Sequence, residues 1–220
     1  MQARAAADAA FLFLHLSAPG LGWQRLVADA SAALARDDDV AVVGTFMGLF
    51  GIGSHDAFVL LAAPAADESA LARSRAVLPA TIDVVDALRL RATARPASAA
   101  ALQRPGIYVF RFFDVRDGDV EEIVRLSRTA WETFEKPAGA QGGPDAGSAG
   151  YASEPMGLFR FADAADREAR GRMLLLTWYD DLTSWERSRT PAPEATANFR
   201  RRAELTAGTI AYATRLVPAA

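Results

Sequence analysis

Arg111 is the residue whose setting in this sequence most strongly suggests chemistry, because it interrupts an apolar run from Ile107 to Phe113. Side chains alternate between the two faces of a strand, so Arg111 is predicted to point away from Phe110 and Phe112. A buried guanidinium without a partner is costly. Arg111 therefore either pairs with an Asp or Glu on a neighbouring strand or anchors an anionic ligand, since guanidinium and carboxylate match in a two-point geometry.

Histidine is scarce in this chain, so both copies are candidate functional residues. His15 ends an apolar run and is either a packed or partly exposed strand residue, or an acid, base or ligand contact in a pocket. His55 follows Gly53 and Ser54, as is typical of a solvated turn. Neither histidine has a carboxylate at a metal-ligand spacing, so we expect no metal site, and we expect no cofactor.

Aromatic and cationic residues gather near the end of a later predicted strand. Trp178, Tyr179 and Trp185 lie where this strand passes into a helix, and they either pack in the core or form a stacking wall for an aromatic ligand. Arg187 and Arg189 follow on that helix. They either fix the helix to the strand or contact a ligand at the mouth of a pocket.

Composition and charge exclude several classes of function. The net charge is −3, and the run Arg200-Arg201-Arg202 has no interleaved aromatic residues, so we expect a solvated helix face and no nucleic-acid partner. The absence of Cys excludes disulfides and a Cys nucleophile, and no G-x-S-x-G motif indicates a serine hydrolase. No apolar run reaches the roughly 18 residues of a membrane helix. We therefore expect no membrane partner and a cytoplasmic protein.

The elements that carry these residues are predicted to occur twice. Met47-Gly48-Leu49-Phe50 returns as Met156-Gly157-Leu158-Phe159, and an Arg-Ser-Arg motif follows later in both halves. The two repeated motifs come in the same order among the predicted elements. Aligning Phe11 with Tyr108 places Leu34 on Trp131 and His15 on Phe112 without a gap. We infer an internal duplication of one structural unit.

Hydrophobic periodicity and turn residues predict the order βαββαβ in both halves. Lobe one is assigned to 1–96, with strands at 11–17, 40–50, 57–62 and 84–93 and helices at 23–34 and 67–77. A linker at 97–106 leads to lobe two at 107–220, with strands at 107–115, 156–161, 173–179 and 210–217 and helices at 119–134, from 181, and at 194–206. The Gly-, Ala- and Pro-rich segment 136–150 is either a disordered loop or a lid.

Each half is the ferredoxin-like unit, in which helices cover one face of a sheet. The other face is apolar and must be buried, so the two lobes are expected to pack sheet to sheet. The predicted fold class is α+β, with two tandem ferredoxin-like lobes in one chain.

Two segments of lobe two resemble NIPSNAP-type domains. Ile107-Tyr108-Val109-Phe110-Arg111, followed by Gly118, Glu121 and Glu122, is similar to that family's opening strand, an Ile-Tyr-x-Leu-Arg-x-Tyr pattern before a Gly and an acidic helix start. Leu175 to Tyr179, continuing through Leu182 to Arg187-Ser188-Arg189, is similar to its second signature, an aromatic strand end that leads into an Arg-bearing helix. The resemblance implies a dimeric α+β barrel, here in a tandem, self-paired version.

The chain also departs from the family pattern. Val109 stands where the family often has Glu, and Phe112 and Phe113 replace the usual Thr and Tyr. Relatives on this barrel include cofactor-free monooxygenases, haem enzymes and small-molecule binders. The haem-binding tandem barrels hold their haem in the C-terminal lobe, and lobe two contains no histidine, which argues against histidine-ligated haem.

Three functions remain open at this point. The leading one is a NIPSNAP-like protein of unassigned role that binds a small apolar or aromatic molecule in or beside the barrel. The alternatives are a cofactor-independent monooxygenase or isomerase acting on an aromatic, polyketide-like substrate with His15 as proton acceptor, and a structural protein that forms oligomers and has a filled barrel. The candidate ligand contacts are Phe13, His15, Phe110, Arg111, Phe112, Trp178, Tyr179, Arg187 and Arg189.

The binding and structural functions differ in the interior that they predict. Binding predicts a cavity of roughly 300 Å³ or more in the barrel, lined by some of Phe13, Phe110, Phe112 and Trp178. If the protein has a purely structural function, we expect a barrel packed solid with side chains.

Overall fold

The computed structural model describes residues 10–63, 68–96, 98–134, 152–162, 170–190 and 193–218. Lobe one contains β1 (Ala10–Ser17), α1 (Trp23–Leu34), β2 (Ala41–Phe50), β3 (Asp56–Ala63), α2 (Glu68–Ala76) and β4 (Asp83–Arg95). Lobe two contains β5 (Ile107–Arg116), a 3₁₀ turn (Asp117–Asp119), α3 (Val120–Phe134), β6 (Ser153–Phe161), β7 (Arg170–Tyr179), α4 (Leu182–Ser188), α5 (Pro193–Glu204) and β8 (Thr206–Val217).

The eight strands close into one antiparallel barrel in the order β1-β3-β2-β8-β5-β7-β6-β4. Within this ring each lobe has the same internal order, β4-β1-β3-β2 in lobe one and β8-β5-β7-β6 in lobe two, which is the ferredoxin-like arrangement. The pairs β2–β8 and β4–β6 join the lobes. The predicted fold class, two ferredoxin-like lobes packed sheet to sheet within one chain, is confirmed.

The predicted element order is also found, with small differences at the ends. β8 begins at Thr206 rather than Ile210, because it continues to pair with β5 as far as Val115. The domain limits 1–96, 97–106 and 107–220 stay a prediction. The segment 136–150 lies outside the described residues.

Aromatic side chains fill the lumen of the barrel. The alternation expected for β5 is found, since Tyr108, Phe110 and Phe112 all point inward. Neighbouring rings meet edge to face, as Phe13 does with Phe58 at 4.9 Å and with Phe112 at 5.3 Å between ring centroids. Such tilted contacts stabilise a core beyond the burial of their surface. The largest fully buried side chains of the lumen are Tyr108, Phe11, Phe13, Phe46, Phe58, Phe110 and Phe159.

The segment between the lobes closes one end of the lumen. The Trp178 Nε1–H donates to the carbonyl of Pro105 at 2.9 Å, and the Tyr108 hydroxyl donates to the carbonyl of Arg104 at 2.8 Å. The guanidinium of Arg104 also lies 3.3 Å above the Trp178 ring. Gly106 has φ +141°, and a Cβ there would meet the Trp178 indole and the Tyr179 carbonyl, so only Gly fits.

The outer face of lobe one is packed without a described cavity of its own. Leu12, Leu14 and Leu16 of β1 lie under α1 and are fully buried. They meet the apolar face of α1, in which Leu26 and Leu34 are fully buried. This packing follows from the leucine alternation in β1 and the helical spacing of the apolar residues in α1.

Candidate functional site

A cavity of about 470 Å³ lies on the outside of the barrel, between the sheet of lobe two and its helices. We call it the outer cavity. Its walls combine aromatic rings, hydroxyl groups and cations. The lining residues are Arg111, Trp131, Pro155, Leu175, Thr177, Tyr179, Trp185, Ser188, Arg189, Phe199 and Arg202.

Two paired strands form the floor of the outer cavity. Arg111 of β5 faces Leu175 of β7 in the strand register, and Thr177 and Tyr179 continue along β7. Because side chains alternate along a strand, these residues point outward while Leu174, Leu176 and Trp178 point into the lumen. Arg111 of β5 and Thr177 of β7 are in the outward-facing set and therefore make this floor polar.

Helices and Pro155 of β6 form the other walls. Trp131 comes from α3, Trp185 and Ser188 from α4, and Phe199 and Arg202 from α5. The start of α4 is held in place by Asp181, whose side chain accepts a hydrogen bond from the Ser184 backbone N–H at 2.7 Å. This N-terminal cap fixes the start of the helix that carries Trp185 and Ser188.

The outer cavity has a cationic lining. Arg111 and Arg202 are partly buried and Arg189 is exposed at its edge, while none of the described lining residues is Asp or Glu. Arg202 makes a long hydrogen bond of 3.5 Å to Ser127 Oγ and lies 5.2 Å from the Phe199 ring centroid. Burial, and then the charge of Arg111, lower the pKa of Arg202 to about 10. The guanidinium of Arg202 therefore remains charged at neutral pH.

Rings and hydroxyl groups complete the site. Trp131 and Tyr179 are buried, and the outer face of the Trp185 ring is covered by the Arg189 guanidinium at 5.5 Å. Thr177, Tyr179 and Ser188 place three hydroxyl groups on the cavity wall. Rings of this kind stack on planar ligands, and hydroxyl groups can donate or accept one hydrogen bond at a ligand oxygen.

The structure separates the predicted ligand contacts into two groups on opposite faces of the barrel wall. Arg111, Tyr179 and Arg189 line the outer cavity. Arg187 is exposed on α4 and is not among the lining residues. The other predicted contacts lie inside the barrel or at its mouth: Phe13, His15, Phe110, Phe112 and Trp178.

The structure places Trp178 apart from Tyr179 and Trp185. Trp178 packs in the lumen, whereas Tyr179 and Trp185 lie on the outer face of the wall. Trp178 and Tyr179 are adjacent in β7, and adjacent residues in a strand point to opposite faces.

The cavity found among the described lumen residues is smaller than ligand binding inside the barrel requires. Among cavities lined by described residues, the one that includes Phe13 and Phe112 has only about 70 Å³. Phe110 is fully buried and Trp178 is 3% exposed, so both serve as core side chains. The described interior is packed with rings, and the outer cavity lies outside the barrel.

His15 lies at the mouth of the lumen, lining the small cavity and not the outer one. Its Nε2 is 3.1 Å from Asp56 Oδ2, and its ring meets Phe58 edge to face at 5.0 Å. Burial acts to raise the pKa of Asp56, but hydrogen bonds from Ser17, His15 and Gly53 outweigh it and hold this pKa below its usual value. His15 is thus a hydrogen-bond partner of the Asp56 carboxylate.

Sequence reasoning missed most residues of the outer cavity, and three of them, Trp131, Phe199 and Arg202, bear on its chemistry. Trp131 was interpreted only as part of an apolar helix stripe, and Arg202 was assigned to a solvated face with Arg200 and Arg201. Arg201 does pair with Glu204 at 2.9 Å, but Arg202 turns toward the sheet. Phe199 and Arg202 are three positions apart in α5, and this spacing, which places both on one helix face, could have linked them.

Within the described residues, no group of three or more His, Asp or Glu side chains is placed to hold a metal ion. Among the described helices, none is both long enough and apolar enough to cross a membrane.

No protein-family profile and no curated protein sequence matches this chain significantly. Solved structures match it over nearly its whole length. Chlorite dismutase from Candidatus Nitrospira defluvii superposes with a TM-score of 0.58 at 8% identity, covering 96% of this chain and 92% of that protein. An anthrone oxidase-like protein gives a TM-score of 0.54 at 15% identity, with 98% and 94% covered. A haem-binding protein from Thermus thermophilus gives 0.54 at 9% identity, with 98% and 94% covered.

The chain has the dimeric α+β barrel fold. At identities of 8% and 15% the likeness establishes this fold alone. All eight strands of the barrel come from one chain, so the barrel closes without a second copy.

Proposed function

We propose that this protein binds a small planar aromatic molecule in the outer cavity of lobe two. The observation that carries the proposal is a cavity of about 470 Å³ with four aromatic lining residues, Trp131, Tyr179, Trp185 and Phe199. Small-molecule sites are concave, mostly apolar and fitted with a few polar groups, and cavities of roughly 300 to 1,000 Å³ are typical. The structural neighbours support a small-molecule role, since they include haem-binding and oxidase-like proteins.

The proposal extends the NIPSNAP-like interpretation of the sequence. The two segments that carry this resemblance, one starting at Ile107 and the other ending at Arg189, supply the floor and one wall of the outer cavity. Both segments would then contribute to one ligand site, which lies beside the barrel rather than inside it. Assembly of further copies is compatible with this function and is not required by it.

Binding is tested by titrating the protein with naphthoate and with naphthamide while the fluorescence of Trp131 and Trp185 is recorded. Bound rings should quench these tryptophans, and calorimetry should give the same dissociation constant. Ser188→Trp should fill the cavity and weaken both probes by about tenfold or more, since 1.4 kcal/mol corresponds to a factor of ten.

Thr183→Trp is the matched control. Thr183 is exposed on the same helix and does not line the cavity, so the added ring should leave binding unchanged. The proposal fails if neither probe binds below millimolar concentration, or if both tryptophan variants bind as the unsubstituted protein does.

A second candidate function is a cofactor-independent oxygenase or isomerase acting on the bound aromatic molecule. The cationic lining favours it, because fixed positive groups stabilise the enolate or phenolate form through which such reactions proceed. The described lining residues include no imidazole or carboxylate, and His15 lies elsewhere, so this candidate calls for a substrate that enters already ionised. Oxygen uptake with hydroxynaphthoate tests this candidate: uptake should fall in Arg111→Gln and persist in His15→Ala, and absence of uptake rejects it.

A further inference from the structure

Two cations face the same space in the outer cavity. Arg111 comes from the floor strand β5 and Arg202 from the covering helix α5, so chain segments far apart in the sequence bring the two side chains together. The charge of Arg111 disfavours the charged form of Arg202, which means that the two guanidinium groups are within interaction range. A protein that only needed to fill this space could do so with apolar side chains, as lobe one does.

The two cations lack the partners that usually accompany buried arginines. Among the described residues, neither Arg111 nor Arg202 forms an ion pair with Asp or Glu, although several arginines in both lobes do. Arg202 reaches only the hydroxyl of Ser127, at 3.5 Å, and the Phe199 ring. Two like charges in a partly desolvated site repel each other, and an anion between them would remove that cost.

We propose that Arg111 and Arg202 together bind the anionic group, most simply a carboxylate, of the aromatic ligand in the outer cavity. This inference rests on the proposed function and adds to it both the charge of the ligand and the role of Arg202. Two guanidinium groups approaching from floor and roof can each donate to a different carboxylate oxygen. The anionic group then lies between β5 and α5, and the ring extends toward Trp131 and Trp185.

The size of the outer cavity favours an organic anion over an inorganic one. A space of about 470 Å³ is far larger than two arginines need to hold a small ion, and aromatic rings line much of it. The three hydroxyl groups of Thr177, Tyr179 and Ser188 can contact ring substituents.

The test compares naphthoate with naphthamide, which share the ring and differ in charge. Naphthoate should bind at least about tenfold more tightly at low salt, since hydrogen bonds to charged groups contribute about 1.5–3 kcal/mol. Arg111→Gln and Arg202→Gln should each weaken naphthoate by about tenfold while naphthamide changes by about twofold or less. Added salt should reduce the preference for naphthoate.

Arg128→Gln is the charge-matched control, because Arg128 is exposed on α3 and does not line the cavity. It should leave both affinities unchanged. If both probes bind equally in the unsubstituted protein, or if the arginine variants lose both probes to the same extent, the inference is wrong and the proposed aromatic site stands. If neither probe binds, the proposed function itself fails.

Thermal unfolding separates a ligand contact from a purely structural role. Without ligand, Arg202→Gln should unfold at the same or a higher temperature, because one of two repelling cations is gone. Naphthoate should raise the unfolding temperature of the unsubstituted protein and not that of the variant. A variant that unfolds earlier yet responds fully to naphthoate would make Arg202 a structural residue and overturn the inference.

Discussion

The outer faces of the two lobes are built on the same plan but are filled differently. In the alignment of Phe11 with Tyr108, Leu14 of lobe one corresponds to Arg111 of lobe two, and Leu34 corresponds to Trp131. Leu14 pairs in register with Val59, and Arg111 pairs with Leu175, so the correspondence holds in the sheet as well. In lobe one the two leucines are fully buried and in contact with the helix–sheet core, whereas in lobe two Arg111 and Trp131 line the outer cavity.

The lobes also treat charge differently. At the mouth beside lobe one, Asp56 accepts hydrogen bonds from His15 and Gly53, so its charge is compensated within the protein. On the outer face of lobe two, Arg111 and Arg202 have no acidic partner among the described residues. The comparison teaches that a similar helix-on-sheet layer is either filled as a core or left with a cavity, depending on a few outward-facing residues.

The largest effect is expected from exchanging Leu14 and Arg111 between the two lobes. Leu14→Arg should destabilise the protein by about 4 kcal/mol or more, because lobe one has no room or partner for a guanidinium. The reciprocal Arg111→Leu should be neutral or slightly stabilising, since it removes one of two repelling cations. Urea unfolding measures both, and Leu14→Ala, expected to cost about 2–5 kcal/mol, separates lost packing from added charge.

The two kinds of space can be distinguished by truncating one ring in each. Phe110→Ala empties a fully buried position of the lumen and should cost about 3–5 kcal/mol. Phe199→Ala removes a partly exposed ring from the wall of the outer cavity and should cost about 1 kcal/mol. Equal losses in the free energy of unfolding, measured in urea, would mean that the wall of the outer cavity is part of the hydrophobic core.

A smaller effect is expected at Asp56 of lobe one, whose charge is compensated by hydrogen bonds. Because the pKa of Asp56 is lower in the folded protein than in the unfolded chain, its contribution to stability is present above about pH 4 and is lost as the pH falls below that value. Asp56→Asn should cost about 1–2 kcal/mol at neutral pH and have less effect at pH 3. The difference in unfolding free energy between the two proteins, measured across this range, should narrow toward acid, and a constant difference would contradict the assignment.

The alternation of side chains made much of the architecture predictable. It assigned Tyr108, Phe110 and Phe112 to one face and Arg111 to the other, and this division is found. The same rule, not applied at Trp178 and Tyr179, would have separated them as well. Three consecutive arginines in α5 were treated as one surface, although successive helix positions are about 100° apart and only Arg202 faces the sheet.

The repeated tetrapeptide shows a limit of sequence comparison. Its two copies lie on corresponding strands, β2 and β6, but their residues do not share an environment. Phe50 is 61% exposed and pairs with Ala213, whereas Phe159 is 1% exposed and packs in the lumen against Phe11. The repeat therefore located matching strands and not matching positions, and the duplication that it suggested stays a prediction.

Local patterns alone determined the strands, the helices and the two-lobed order, because periodicity and turn residues act over a few neighbours in the chain. They also placed Arg111 on the outer face of its strand. Only the tertiary structure decided that rings fill the lumen and that the open space lies outside it. That outcome depends on how the volumes of side chains from all eight strands add up, and on whether α5 brings Arg202 opposite Arg111.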